Sequence, residues 1–218
     1  MILCRPAIAS GLLCAGALAA LAEASIEGIV LLPKPALQPA QTARYTDKLS
    51  GPIAPPSPPV AVVYLEGNFS SATSANATVS AKVVQEHFQF SPAVLPVRIG
   101  TVVEFPNLDD SYHNVFSYSK PKRFDLGRYR KDEKPAAVVF DKAGVVKLYC
   151  EIHEHMRATI LVLDTPYFTK TDTNGNFRLE HLPVGKFTLK AWLDEKTRLE
   201  RAVDLSEGAT LRVDFAAK

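Results

Sequence analysis

The sequence predicts an all-β protein built of two sandwiches, and three observations carry that prediction. From Ser25 to Lys218 the chain is a succession of short β-type runs punctuated by Gly, Pro, Asn and Asp. No stretch shows the 3.6-residue apolar period of a helix. The runs are also too many for one sandwich of ordinary size.

In chain order the expected strands are Ile26–Leu32, Val60–Leu65, Val79–Val84, Val94–Arg98, Thr101–Pro106, Ala137–Asp141, Gly144–Cys150, Ala158–Asp164, Asn176–Leu179, Lys186–Leu193, Arg198–Leu205 and Thr210–Phe215. Each is a short run of apolar or β-branched residues bounded by turn formers. Two stretches interrupt them. Pro33 to Pro59 is dense in Pro, Ala and Ser, and Gly67 to Ala77 is dense in Ser, Ala, Asn and Thr, so both read as linker or extended loop. The tripeptides starting at Asn68 and Asn76 match the glycosylation sequon, which is common by chance.

With 218 residues and 47% hydrophobic content the chain is long enough to bury a core. Its 25 basic and 23 acidic residues leave a formal charge of +2, which gives no field that calls for nucleic acid or anionic lipid. The N-terminus differs. Arg5 precedes a Leu/Ala-rich run to Leu21, followed by Ala22-Glu23-Ala24, the pattern of a secretory signal peptide cleaved after Ala24. Pro6, Ser10 and Gly11 interrupt the run, which argues against a membrane anchor, so no stable insertion is expected after cleavage. Leu13 stands where a lipoprotein signal has a small residue ahead of Cys14. The expected location is the periplasm or outside the cell.

Cleavage would remove Cys4 and Cys14 and leave Cys150 as the sole thiol. A lone thiol in an oxidising compartment is exposed to oxidation unless it is deeply buried or already bound to a metal. Met156 is likewise the one methionine beyond Met1, and it lies six positions from Cys150 with His153 between. The segment Tyr149-Cys150-Glu151-Ile152-His153-Glu154-His155-Met156 thus has C-x2-H-x2-M spacing after a β run, so one loop offers three ligands. His113, in Tyr112-His113-Asn114-Val115, is a candidate fourth, thirty-seven residues before Cys150. Two imidazoles, a thiolate and a weak thioether suit both Cu(I) and Cu(II). Taken singly, Cys150, His113 and Met156 also read as an inert thiol, a turn residue and core; only their joint spacing points to copper.

These residues resemble the cupredoxins, most closely the amicyanin and plastocyanin group. The marks are Gly100-Thr101-Val102-Val103-Glu104-Phe105, His113-Asn114-Val115, Ala143-Gly144 and the C-x2-H-x2-M loop, over about Val79 to Asp164. The resemblance implies a Greek-key β-sandwich with one type 1 copper held by His113, Cys150, His153 and Met156, and with Asn114 tying the two ligand loops together. His155 adjoins Met156, and it either competes for the metal or faces solvent. Structural zinc would want four paired Cys or His ligands. A multicopper oxidase needs about ten histidines, as that family is known, and the chain has five. A dinuclear copper site needs two cysteines.

Glu151, Glu154 and His155 flank His153, and Tyr112 stands where relatives often have proline, so the patch around the loop histidine is expected to be more polar than in those relatives. A redox partner would dock at the His153 face or at the basic loop 120–134, where Lys120, Lys122, Arg123, Arg128, Arg130, Lys131 and Lys134 are offset in part by Asp125, Asp132 and Glu133.

Thr165 to Lys218 is short for an independent core. Thr171 to Phe177 and Leu182 to Leu189 resemble carboxypeptidase regulatory-like, transthyretin-type sandwiches, which open with strands like Glu27–Val30 and Val60–Leu65. The expected organisation is therefore a signal peptide at 1–24, N-terminal strands and linker at 25–67, a cupredoxin domain at 68–165 and the remainder of the second sandwich at 166–218. Asp172-x-Asn174-Gly175-Asn176 hints at calcium, but Pro183 stands where an EF-hand has its last glutamate, so a hairpin turn is expected. The functional expectation is an electron carrier and not an enzyme, with copper delivery, storage or sensing as the alternative.

Overall fold

The computed structural model describes residues 23–34, 55–69, 79–133 and 137–216. Nearly all of the signal-peptide segment, most of both linker stretches and Lys134 lie outside them. The strands in chain order are β1 (Ala24–Ile29), β2 (Val62–Glu66), β3 (Ser80–Lys82), β4 (Val84–Glu86), β5 (Gln89–Ser91), β6 (Val94–Arg98), β7 (Thr101–Glu104), β8 (His113–Ser117), β9 (Phe124–Tyr129), β10 (Ala137–Phe140), β11 (Gly144–Tyr149), β12 (Arg157–Leu163), β13 (Phe168–Lys170), β14 (Asn176–Leu182), β15 (Gly185–Trp192), β16 (Arg198–Leu205) and β17 (Thr210–Arg212). There is no helix among the described residues, and the fold is all-β.

One sandwich joins the sheet β14-β1-β17 to the sheet β13-β2-β15-β16. Its core holds Ile26, Val63, Leu65, Leu189 and Phe215. The strands that precede residue 67 therefore complete two sheets, β1 in one and β2 in the other, whose remaining members follow residue 165. Ala24, the last residue of the expected leader, is here the first residue of β1, fully buried opposite Leu182.

The other sandwich joins β10-β7-β3 to the sheet β6-β12-β11-β8-β9, around Val103, Phe105, Phe140, Val146, Leu148 and Ile160. Side chains on a strand alternate between faces, so every second residue of a half-buried strand points inward. In β8 the inward set is His113, Val115 and Ser117. In β11 it is Val146 and Leu148, and Cys150 continues it. Met156 extends the inward set Ala158, Ile160 and Val162 of β12 in the same way. Because β12, β11 and β8 are neighbours, these three registers bring His113, Cys150 and Met156 to one end of the core.

Between the sandwiches, Val62 and Trp192 pack on Leu161 and Leu163. Val62 alternates with the inward Val63 and pairs with Trp192 across β2 and β15, so the outer face of one sandwich serves as the contact.

The middle of the segment expected to be a basic loop is instead strand β9, paired with β8 at the sheet edge. Phe124 and Leu126 pack against the core and, past an irregularity at Gly127, Tyr129 lies within it, so both aromatics serve the core. Arg128 pairs with Glu151, Lys131 with Asp110 and Lys122 with Asp141, which cancels much of the segment's charge locally. Strands β4 and β5 form a hairpin whose turn, His87-Phe88, lacks the usual glycine or asparagine and so gave no turn signal.

Candidate metal centre

His113, Cys150 and His153 form one group of potential metal ligands whose donor atoms all lie within 4.8 Å of one another. The Nδ1 atoms of His113 and His153 are 3.0 Å apart, and Cys150 Sγ is 3.9 Å from His153 Nδ1. Such spacings suit donors that share an ion at bond lengths of about 2 Å. His113 is completely buried, and Cys150 is 3% exposed. The ligand loop is closed by a turn in which Met156 N–H donates to the His153 carbonyl at 2.9 Å, and the Met156 side chain lies in the same core cluster as Cys150.

Electrostatics leave the imidazoles free for a metal. Burial pushes His153 down to about 4, and neighbouring His113 and His155 add to the effect. Burial also lowers His113, against an opposing pull from Asp109. Both rings are therefore neutral at pH 7, the form that binds metals. Burial tends to raise Asp109, but hydrogen bonds from Phe88, His113 and His87 outweigh it and hold the carboxyl below its usual range. A carboxylate only accepts, so the nitrogen of His113 that meets Asp109 Oδ2 at 2.8 Å, Nε2, carries the proton. The lone pair is then on Nδ1, which faces His153. A lone pair, a second imidazole and a buried thiol converging on one point form a donor set that a copper ion fits.

Asn114 joins the segment of His113 to that of Cys150: Glu151 N–H donates to its side-chain oxygen at 2.8 Å. His155 is partly buried and lies outside the group formed by His113, Cys150 and His153. Its Nε2–H donates to the Phe88 carbonyl at 3.0 Å, and burial lowers its proton affinity. Phe88 sets its ring edge-on to both ligand histidines, 5.6 Å from His113 and 5.1 Å from His153 between centroids. Sequence reasoning missed Phe88 and Asp109; the Asp at i−4 from His113 was the available signal. Behind the site Tyr129 donates to the Phe105 carbonyl and accepts from Gln85, both at 2.6 Å, and burial pushes its phenol up to about 12. The surface by the loop is mixed and not simply polar: exposed Tyr112, with Arg130 stacked 5.2 Å from its ring centroid, shares a shallow hollow with Ile152 and Arg128.

A family model described as carboxypeptidase regulatory-like domain matches residues 156–218. The matched stretch begins at Met156 and so takes in β12, which is hydrogen-bonded into the sheet of the metal-bearing sandwich. No curated protein sequence matches the chain. Among solved structures it is similar to a copper-containing nitrite reductase from Thermus scotoductus SA-01, with 26% identity over 40% of this chain and 23% of that one and a TM-score of 0.37. The chain thus spans less than a quarter of that enzyme's length. A reduced amicyanin is 22% identical over 41% of this chain and 87% of its own, with a TM-score of 0.36. A purple cupredoxin from Nitrosopumilus maritimus is 24% identical over 38% of this chain and 99% of its own, at 0.34. The chain pairs a segment that matches the carboxypeptidase regulatory-like domain with a β-sandwich that is similar to the cupredoxins.

Proposed function

We propose that the protein is an exported type 1 copper protein that carries single electrons between redox partners. The observation that carries this reading is the pair of imidazole Nδ1 atoms 3.0 Å apart with the Cys150 sulfur 3.9 Å from one of them. Bound copper would supply the one-electron couple. His113, His153 and Cys150 would be its strong ligands and Met156 its weak fourth. In this reading residues 68–165 form the copper-carrying unit, and 25–67 with 166–218 form its companion.

The protein's part is rigidity. His113, Cys150 and Met156 continue inward registers of three hydrogen-bonded strands, so the packed core restrains them whichever oxidation state is present. His113, Cys150 and Met156 are buried and only His153 is partly exposed, which leaves little room for a substrate at the ligands and supports a carrier over an enzyme. It also favours a carrier over a delivery or storage protein, because handing copper to a recipient requires ligands within its reach. The hollow lined by Tyr112, Arg128 and Ile152 adjoins the ligand loop and is the favoured place for a redox partner to dock. The N-terminal apolar run, followed by Ala22-Glu23-Ala24, supports export to the periplasm or the medium.

Adding Cu(II) to the purified protein should produce an intense blue or green colour from thiolate-to-copper charge transfer. Cys150→Ala should stay colourless while keeping the wild-type circular dichroism. Reversible voltammetry of the coloured protein separates a carrier from a storage protein. A wild-type protein that binds Cu(II) without visible charge transfer sinks the reading.

A further inference from the structure

Asp109 stands where two separately built features meet. Its Oδ2 accepts His113 Nε2–H at 2.8 Å and Phe88 N–H at 3.0 Å, and its Oδ1 accepts His87 N–H at 2.8 Å. Its own N–H donates to Asn107 Oδ1 at 2.9 Å, while Asn107 Nδ2 donates to the carbonyls of Ser111 and Tyr129. The carboxylate is thus fixed from both sides, and its side chain is only 12% exposed.

The turn it holds is a strained one. His87 and Phe88 have φ of 53° and 57°, a conformation that costs any residue with a Cβ and persists only where its surroundings over-determine it. Asp109 accepts both turn N–H groups, and His155 donates to the Phe88 carbonyl. The turn carries Phe88, whose edge meets both ligand rings.

We infer that Asp109 is the positioning residue of the metal centre: one carboxylate fixes the His113 tautomer and holds the β4–β5 turn that packs Phe88 against His113 and His153. This rests on the copper reading. An acceptor on the far nitrogen keeps Nδ1 unprotonated and aimed at the metal, and its negative charge makes Nδ1 a stronger donor, which favours Cu(II) over Cu(I). The turn contacts orient the rings before any ion arrives.

The test compares wild type with Asp109→Asn and Asp109→Ala. In the copper-free protein, nitrogen-15 NMR of the imidazoles should report His113 protonated on Nε2, and both variants should lose that bias. In the copper-loaded protein Asp109→Asn should raise the reduction potential; a tenfold preferential loss of Cu(II) binding reads as about 59 mV. Asp109→Ala should also weaken Cu(II) binding about 10–100-fold in competition titrations. If Asp109→Ala fails to fold, Asp109→Asn decides. Unchanged tautomer and unchanged potential in Asp109→Asn overturn the assignment. A wild type that takes up no copper refutes the copper reading instead, and the tautomer of His113 still decides the role of Asp109.

Discussion

At the scale of single residues, the centre is an exercise in keeping bases neutral. His153 falls to about 4 from its ordinary 6.5, and His113 and His155 are lowered with it, each chiefly by burial. Between those values the unfolded chain binds more protons than the fold, so stability is complete above about pH 6.5 and is lost as the pH drops toward 4. Asp109, held below its usual range, acts in the same sense at still lower pH. His181, raised by Glu23 while the leader is attached, pulls the other way, but it is exposed and weakly felt. Urea midpoints of the copper-free protein should therefore decline steadily from pH 7 to pH 5. A flat profile would contradict the burial argument. The candidate ligands Cys150, His153 and Met156 were legible in the sequence because their spacing is local. Asp109 and Phe88 were not, because each acts only through a partner brought close by the fold.

Strands supply the registers that turn this spacing into a site. The alternation Val146, Leu148, Cys150 is readable as text, but its meaning depends on β8 and β12 lying on either side of β11. The start of β11 is equally constrained. Gly144 has φ of 140°, and a Cβ there would lie 2.6 Å from Pro121 Cγ, in the turn before β9. That ring cannot swing away as a long side chain would. Gly144→Ala should cost about 1–3 kcal/mol in urea denaturation while leaving the copper spectrum intact, since the ligands sit beyond the other end of the strand. An unchanged midpoint would show that the turn yields freely. Strand β9 was hidden by its composition: Asp125, Gly127 and Arg128 stand among its inward residues and lysines and arginines flank it on both sides, and charge on an edge also discourages pairing with other chains.

Across the whole molecule the two sandwiches are joined through a small apolar contact. Trp192, the one tryptophan of the chain, is 4% exposed there, and its indole N–H has no acceptor among the described residues. Removing it leaves a cavity beside Leu161 and Leu163, so Trp192→Ala should destabilise by about 3–5 kcal/mol. It should also split denaturant unfolding, followed by circular dichroism, into two transitions, one for each core. A wild-type midpoint in the variant would mean that the contact contributes nothing. What the sequence determined alone is what depends on neighbours along the chain: all-β character from period-two runs, and the C-x2-H-x2-M ligand loop. What only tertiary structure decided is whatever joins distant segments: His113 beside His153, Asp109 and Phe88 around them, and β1 and β2 each completing a sheet whose other strands come more than a hundred residues later. The reason is physical. Local patterns fix which way a side chain faces, but only the pairing of strands fixes what it faces.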